Sequence, residues 1–180
     1  MASMCVYLGA RAGEGPQWAD AATQAGRMIA ERGHTLVYGG GRLGLMGILA
    51  DSALAAGGRV VGVIPESMVE REQAHPDIHE NHIVDGMHAR KLKLTQLADA
   101  FLVLPGGFGT MDELFEAITW RQLEIHHKRV GIWSVGSYYA ELWSFLQHGK
   151  ELGFMPARTL DSILLDTNLP PLLSWLLNDG

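Results

Sequence analysis

The chain is 180 residues long, 47% apolar and 19% charged, with 14 basic and 20 acidic side chains and a net charge of -6. This balance excludes a disordered chain and a global basic footprint for nucleic acid. The lone cysteine, Cys5, excludes an intramolecular disulfide framework and a cysteine zinc cluster. The length predicts one domain, 1–180. The first residues lack the basic start and apolar run of a signal peptide, and no stretch approaches the 18 or so apolar residues of a membrane span. A cytoplasmic protein with no membrane partner is expected.

In chain order, short and nearly uninterrupted apolar runs predict buried strands at 4–8, 35–38, 59–64, 100–104, 130–133 and 162–165. Residues at helical spacing alternate with them. Trp18, Ala22, Ala25, Met28 and Ile29 mark a first helix, and Leu45, Ile48, Leu49, Ser52 and Ala56 a second. Met87, Leu92, Leu94 and Leu97 mark a third, then Leu114, Phe115, Ile118 and Leu123 a fourth. Tyr139, Leu142, Trp143 and Leu146 mark a fifth, and 169–177 is a short apolar helix. Strand–helix alternation of this kind predicts an α/β fold, a doubly wound parallel sheet with helices on both faces. The polar segment 65–85 reads as a loop or short helix over the carboxyl edge of the sheet, where such folds place ligands.

Two strand-to-helix junctions are dense in glycine. The first is Tyr38-Gly39-Gly40-Gly41-Arg42-Leu43-Gly44-Leu45-Met46-Gly47. The second is Pro105-Gly106-Gly107-Phe108-Gly109-Thr110-Met111-Asp112-Glu113. Glycine lets a ligand approach the main chain, and the helix start offers unpaired N–H groups to an anion such as phosphate. Gly39, Gly41 and Gly44 also fit a dinucleotide fingerprint. The next strand, however, ends Ile64-Pro65-Glu66, a poor place for a ribose-binding carboxylate. Neither loop carries the lysine of a triphosphate-binding P-loop. Thr110 and Glu113 have the spacing of a helix-capping box, which by itself is a sufficient account of both. His75, His79 and His82 have helix-like spacing, but Pro76 and the surrounding charge favour a solvated loop over a metal site. Arg90 and Lys91 stand near the predicted mouth of the second loop, either as an anion clamp or as an exposed helix face.

Taken together, three motifs are distinctive: Y-G-G-G-x-x-G-L-M-G from Tyr38, M-H-x-R-K from Met87 and P-G-G-x-G-T-x-x-E from Pro105. In this order and spacing the sequence closely resembles the LOG ("lonely guy") family of cytokinin riboside 5'-monophosphate phosphoribohydrolases, over about 4–153. Many members carry the older label lysine decarboxylase-like, but no element here suggests a pyridoxal phosphate site. The resemblance implies a Rossmann-like fold and a homodimer. It also implies hydrolysis of the N-glycosidic bond of a nucleoside 5'-monophosphate, with no metal or redox cofactor. It assigns catalysis to Arg90 and Glu113 and a phosphate cradle to Gly106, Gly107, Gly109 and Thr110. Glu72, Met87, Lys91, Glu116, Gly40 and Gly41 are the remaining substrate-binding positions, with Glu116 on ribose or orienting Arg90. The first loop departs from the family's G-S-S-x-G, reading Gly9-Ala10-Arg11-Ala12-Gly13. The competing reading is a non-catalytic carrier of a nucleotide or of molybdenum cofactor, which would need the cradle but no carboxylate at C1'.

Overall fold

The computed structural model describes residues 1–178. The expected domain 1–180 includes Asp179 and Gly180, which lie outside the described residues. The elements run β1 (Ser3–Tyr7), α1 (Gln17–Glu31), β2 (Thr35–Tyr38), α2 (Gly44–Ala55), β3 (Val60–Pro65), β4 (Glu80–Val84) and α3 (Met87–Leu97). They continue with β5 (Ala100–Val103), α4 (Phe108–Gln122), β6 (Arg129–Trp133), α5 (Ala140–Glu151), α6 (Ala157–Leu160), β7 (Ile163–Asp166) and α7 (Leu169–Leu177). Single 3-10 turns stand at Glu66–Met68 and Val135–Ser137.

The strands form one parallel sheet in the order β4-β3-β2-β1-β5-β6-β7. The chain builds outward from β1 to β4, then crosses back to β5, so the order reverses between β1 and β5. At such a switch point the following loops part and leave a crevice. The pleat sends alternate side chains of each strand to opposite faces. Met4 and Val6 of β1 join α1, α2 and α7 in one core, with Ile29, Leu49 and Leu173 fully buried. Cys5 and Tyr7 join α3, α4 and α5 in the other, with Leu94, Leu114 and Tyr139. A strand buried on both faces must be apolar at every position, which is why these runs show no alternation.

The six strands expected from sequence are all present. The segment 65–85 departs from expectation: besides its 3-10 turn it carries β4, paired in parallel with β3 from Val61↔Glu80 to Pro65↔Val84. As an edge strand it is half-covered, and Glu80, Asn81 and His82 are tolerated where a central strand would need apolar residues. A purely apolar signal therefore misses it. The short helix α6 was likewise unmarked by periodicity.

Candidate functional site

At the carboxyl edge of the sheet a cleft of about 780 Å³ spans the switch point. Its walls come from the loops after β1, β2, β5 and β6, the turn after β3 and the start of α3. Arg90 lies in the first turns of α3 and is 5% exposed. Its Nε donates to Val63 O (3.1 Å) and its Nη2 to Gly39 O (2.7 Å). Nη2 also lies 3.2 Å from Glu72 Oε2. A buried cation needs such partners to offset the loss of water. Nη1 faces the sulfurs of Met68 and Met87 at 3.8 and 3.9 Å, both weak acceptors. The guanidinium is thus fixed on one edge and open to a ligand on the other.

The two glycine loops do different work. In the first, the Arg42 N–H is shared between Glu72 O (3.1 Å) and Gln73 O (2.8 Å), while His75 N donates to Gly40 O (3.0 Å). The loop therefore clasps the segment that carries Glu72 instead of offering these groups to a ligand. Gly39 is required for another reason: a Cβ there would stand 2.2 Å from Arg90 Nη2. In the second loop, a Cβ on Gly106 would meet Thr110 Oγ1 at 2.1 Å. At Gly107 and Gly109 an added Cβ would meet open space, and neither residue has positive φ. No protein atom explains glycine there, and the main chain is left open to close approach from the cleft. Gly107 is the N-cap of α4, so the first N–H groups of that helix are unpaired and face the cleft with the positive end of its dipole.

This geometry corrects the capping-box reading. α4 begins at Phe108, so Thr110 and Glu113 are its third and sixth residues, with no side-chain cap. The G-G-x-G segment starts the helix three residues earlier than a threonine N-cap would. Glu113 instead lines the cleft, half-buried. Burial pushes its carboxyl up to about 7, against the opposing pull of Arg90 and with a further push from Asp112 and Glu72. A group poised near neutrality, beside a cation and in a cleft, can exchange protons and support positive charge.

Of the positions assigned by resemblance, the cleft brings together Glu72, Met87, Arg90, Gly106, Gly107, Gly109, Thr110 and Glu113. Gly40, Gly41, Lys91 and Glu116 do not line it. The ammonium of Lys91 pairs with Glu116 (2.7 Å) and Asp112 (3.1 Å), bolting α3 to α4. Burial lowers its pKa, but these two carboxylates outweigh that and hold it above its ordinary value. Arg90 takes its carboxylate from Glu72, not from Glu116. The lining also contains Met46, Met68, Trp18 and Tyr138, which sequence reasoning did not assign to the site. No local spacing marks them, because each arrives from a different element. The three histidines are engaged separately: His75 bonds Asp51 (3.0 Å), His79 accepts from Val60 N (3.2 Å), and His82 lies 3.3 Å from Glu80 without hydrogen-bond geometry. Among the described residues no cluster of three or more His, Cys, Asp or Glu could hold a metal ion. No helix among them is long and apolar enough to cross a membrane.

The fold and the cleft define a doubly wound α/β protein whose switch-point crevice sets a helix N-terminus beside an arginine–carboxylate centre. The family model described as "Possible lysine decarboxylase" matches residues 46–173. A rice protein named cytokinin riboside 5'-monophosphate phosphoribohydrolase LOG is 44% identical over 152 residues, covering 84% of this chain and 63% of that one. A Rhodococcoides fascians protein named cytokinin riboside 5'-monophosphate phosphoribohydrolase is 43% identical over 164 residues, covering 91% of this chain and 83% of that one. The chain belongs to the LOG family. It spans less than two thirds of the rice relative's length. Among solved structures, the Moco carrier protein from Chlamydomonas reinhardtii superimposes with a TM-score of 0.74 over 99% of each chain, at 19% identity. At that identity the likeness concerns the fold alone.

Proposed function

We propose that the protein hydrolyses the N-glycosidic bond of a nucleoside 5'-monophosphate, a cytokinin riboside monophosphate or AMP, to free base and ribose 5-phosphate. The observation that carries this reading is the placement of Arg90, Glu72 and Glu113 in one cleft with the open N-terminus of α4. The names of relatives at 43–44% identity support it. The 5'-phosphate sits against the amides of the 107–110 turn, with Thr110 beside them. As the C1'–N bond breaks, its electron pair leaves with the base and positive charge builds on the ribose ring. The Glu113 carboxylate stabilises that charge and takes a proton from the attacking water, whose hydroxyl adds to C1'. Arg90 uses its open Nη1 edge on the phosphate or the departing base. Glu72 fixes Arg90 and reaches ribose or base. Met87, with Met46 and Met68, supplies adaptable apolar wall. Gly40 and Gly41 act through Glu72, and Lys91 with Glu116 keeps α4 in register on α3. A carrier of a nucleotide or of molybdenum cofactor needs no half-buried carboxylate at this point.

The test is a panel of nucleoside monophosphates with detection of free base. A 5'-monophosphate is expected to be cleaved well and the matching nucleoside poorly, because binding the remote phosphate positions the reacting bond. Equal cleavage of the two rejects this reading of the 106–110 loop.

The active assembly is a cytoplasmic homodimer of single-domain chains. Phe108 is 96% exposed, and Phe115, Leu123 and Ile125 extend the apolar surface along and beyond α4, with Leu92 on neighbouring α3. A second copy covering these residues removes a patch that a monomer would leave in water. Because Phe108 also borders the cleft, that copy would stand at the edge of the site. Sedimentation at micromolar concentration is expected to show a dimer; a monomer there refutes the assembly.

A further inference from the structure

Three consecutive carbonyl oxygens, from Leu104 into the second glycine loop, each have their own donor. Leu104 O accepts from the Tyr139 hydroxyl at 2.7 Å, Pro105 O from Gly9 N at 3.1 Å, and Gly106 O from the Tyr138 hydroxyl at 2.7 Å. An unrestrained carbonyl beside a bound phosphate would repel it, whereas one held by a donor keeps the following N–H groups aimed at the ligand. Tyr139 is fully buried, and its role is continuous with the core. Tyr138 is different: it is 47% exposed and lines the cleft, and burial does not demand it.

The backbone before Tyr138 is unusual. Gly136 and Ser137 both have left-handed φ, +54° and +62°. Serine in that region is strained, and such strain persists where the surroundings hold it. Here two successive left-handed residues turn the chain out of β6 so that adjacent tyrosines face the same loop. The Tyr138 ring is braced edge-on by Trp18 (5.7 Å) and Tyr139 (4.9 Å). The hydroxyl is thereby presented to Gly106 by a preformed support.

We propose that Tyr138 is a positioning residue for the phosphate-binding loop, acting through the Gly106 carbonyl, with the Gly136–Ser137 turn as the device that aims it. The proposal rests on the phosphate reading of this cleft, but not on hydrolysis. Its ligand class is any 5'-phosphorylated ribose. Tyr138→Phe removes the hydroxyl and keeps the ring packing. It is expected to weaken ribose 5-phosphate binding, measured by calorimetry, by about fivefold, the scale of one hydrogen bond. Adenosine affinity and melting temperature are expected to stay at wild-type values. In turnover the nucleotide KM rises by the same factor with kcat unchanged, the pattern of an interaction shared by ground and transition states. Ser137→Gly, which adopts the same φ without strain, is expected to bind ribose 5-phosphate as the wild type does. Unchanged ribose 5-phosphate affinity in Tyr138→Phe overturns the proposal. So does equal weakening for adenosine, which is the mark of a merely structural role. Weakening by Ser137→Gly as large as that by Tyr138→Phe also overturns it. If no nucleotide is cleaved and Tyr138→Phe still weakens ribose 5-phosphate, the hydrolase reading fails and the role of Tyr138 stands.

Discussion

Glu113→Gln is expected to lower turnover by about a hundredfold or more while leaving a folded protein that binds nucleotide. Glutamine has the shape of glutamate but cannot take a proton from water or offer a full negative charge to the ribose cation. The substitution is informative here because Glu113 lies six residues into α4, too far along to cap it. Base release in a single turnover measures the effect, and near-native release would end the mechanism. A pH dependence accompanies it. The carboxyl ionises at about 7 in the folded protein against an ordinary 4.5. If the carboxylate is the working form, kcat/KM rises with pH through about 7 and then levels. The substrate phosphate titrates about one unit lower, near 6, so the two are separable.

The same shift has a stability consequence of opposite sense. Below pH 4.5 the group is neutral in both folded and unfolded chains. Between 4.5 and 7 only the folded chain holds the proton, and above 7 the folded chain must carry a charge that burial disfavours. The wild type therefore loses stability as pH rises through this window, by up to about 3 kcal/mol. Neutral glutamine escapes the loss. The variant is expected to melt with the wild type near pH 4 and above it at pH 8. A carboxylate kept for chemistry at a cost in stability shows this pattern. A variant less stable than wild type at pH 8 would mean that the carboxylate is structural.

Arg90→Ala is expected to lose activity by a comparable factor and, unlike Glu113→Gln, to lose stability as well. It leaves Glu72 without its cation and the oxygens of Gly39 and Val63 without a donor. Breaking a buried pair in this way costs roughly 3 kcal/mol, a fall of about 6–12 °C in melting temperature for a chain of this size. Arg90→Lys separates the two effects. A lysine can keep the charge beside Glu72 and one carbonyl, but it cannot hold Gly39 and Val63 while offering a further N–H to the ligand. Its stability should recover toward wild type and its activity should not. Near-native kcat/KM in Arg90→Lys would show that the arginine serves only to hold the two loops together.

Much of this molecule is written in local sequence. Strands such as 4–8 and 100–104 must be apolar throughout because both faces are covered, and that pattern needs no partner to be recognised. The glycine loops were legible for the same reason: Gly39 and Gly106 leave no room for a side chain, and Gly107 and Gly109 lie open to the cleft. Three motifs in order were enough to point to the family. Other features were decided by the tertiary structure alone. β4 is legible only as an edge, because its polar residues are acceptable just where one face meets water. The N-cap of α4 at Gly107, not at Thr110, took Glu113 out of a cap and into the cleft. Arg90 and Lys91 are neighbours in sequence, yet a helix turns successive side chains by about 100°. One guanidinium therefore enters the crevice and meets Glu72, while the adjacent ammonium goes between α3 and α4 to meet Glu116. Met68 and Tyr138 are 70 residues apart and reach one site because β3 and β6 end at the same edge. Sequence fixes which side chains are available, and the strand order fixes which of them meet.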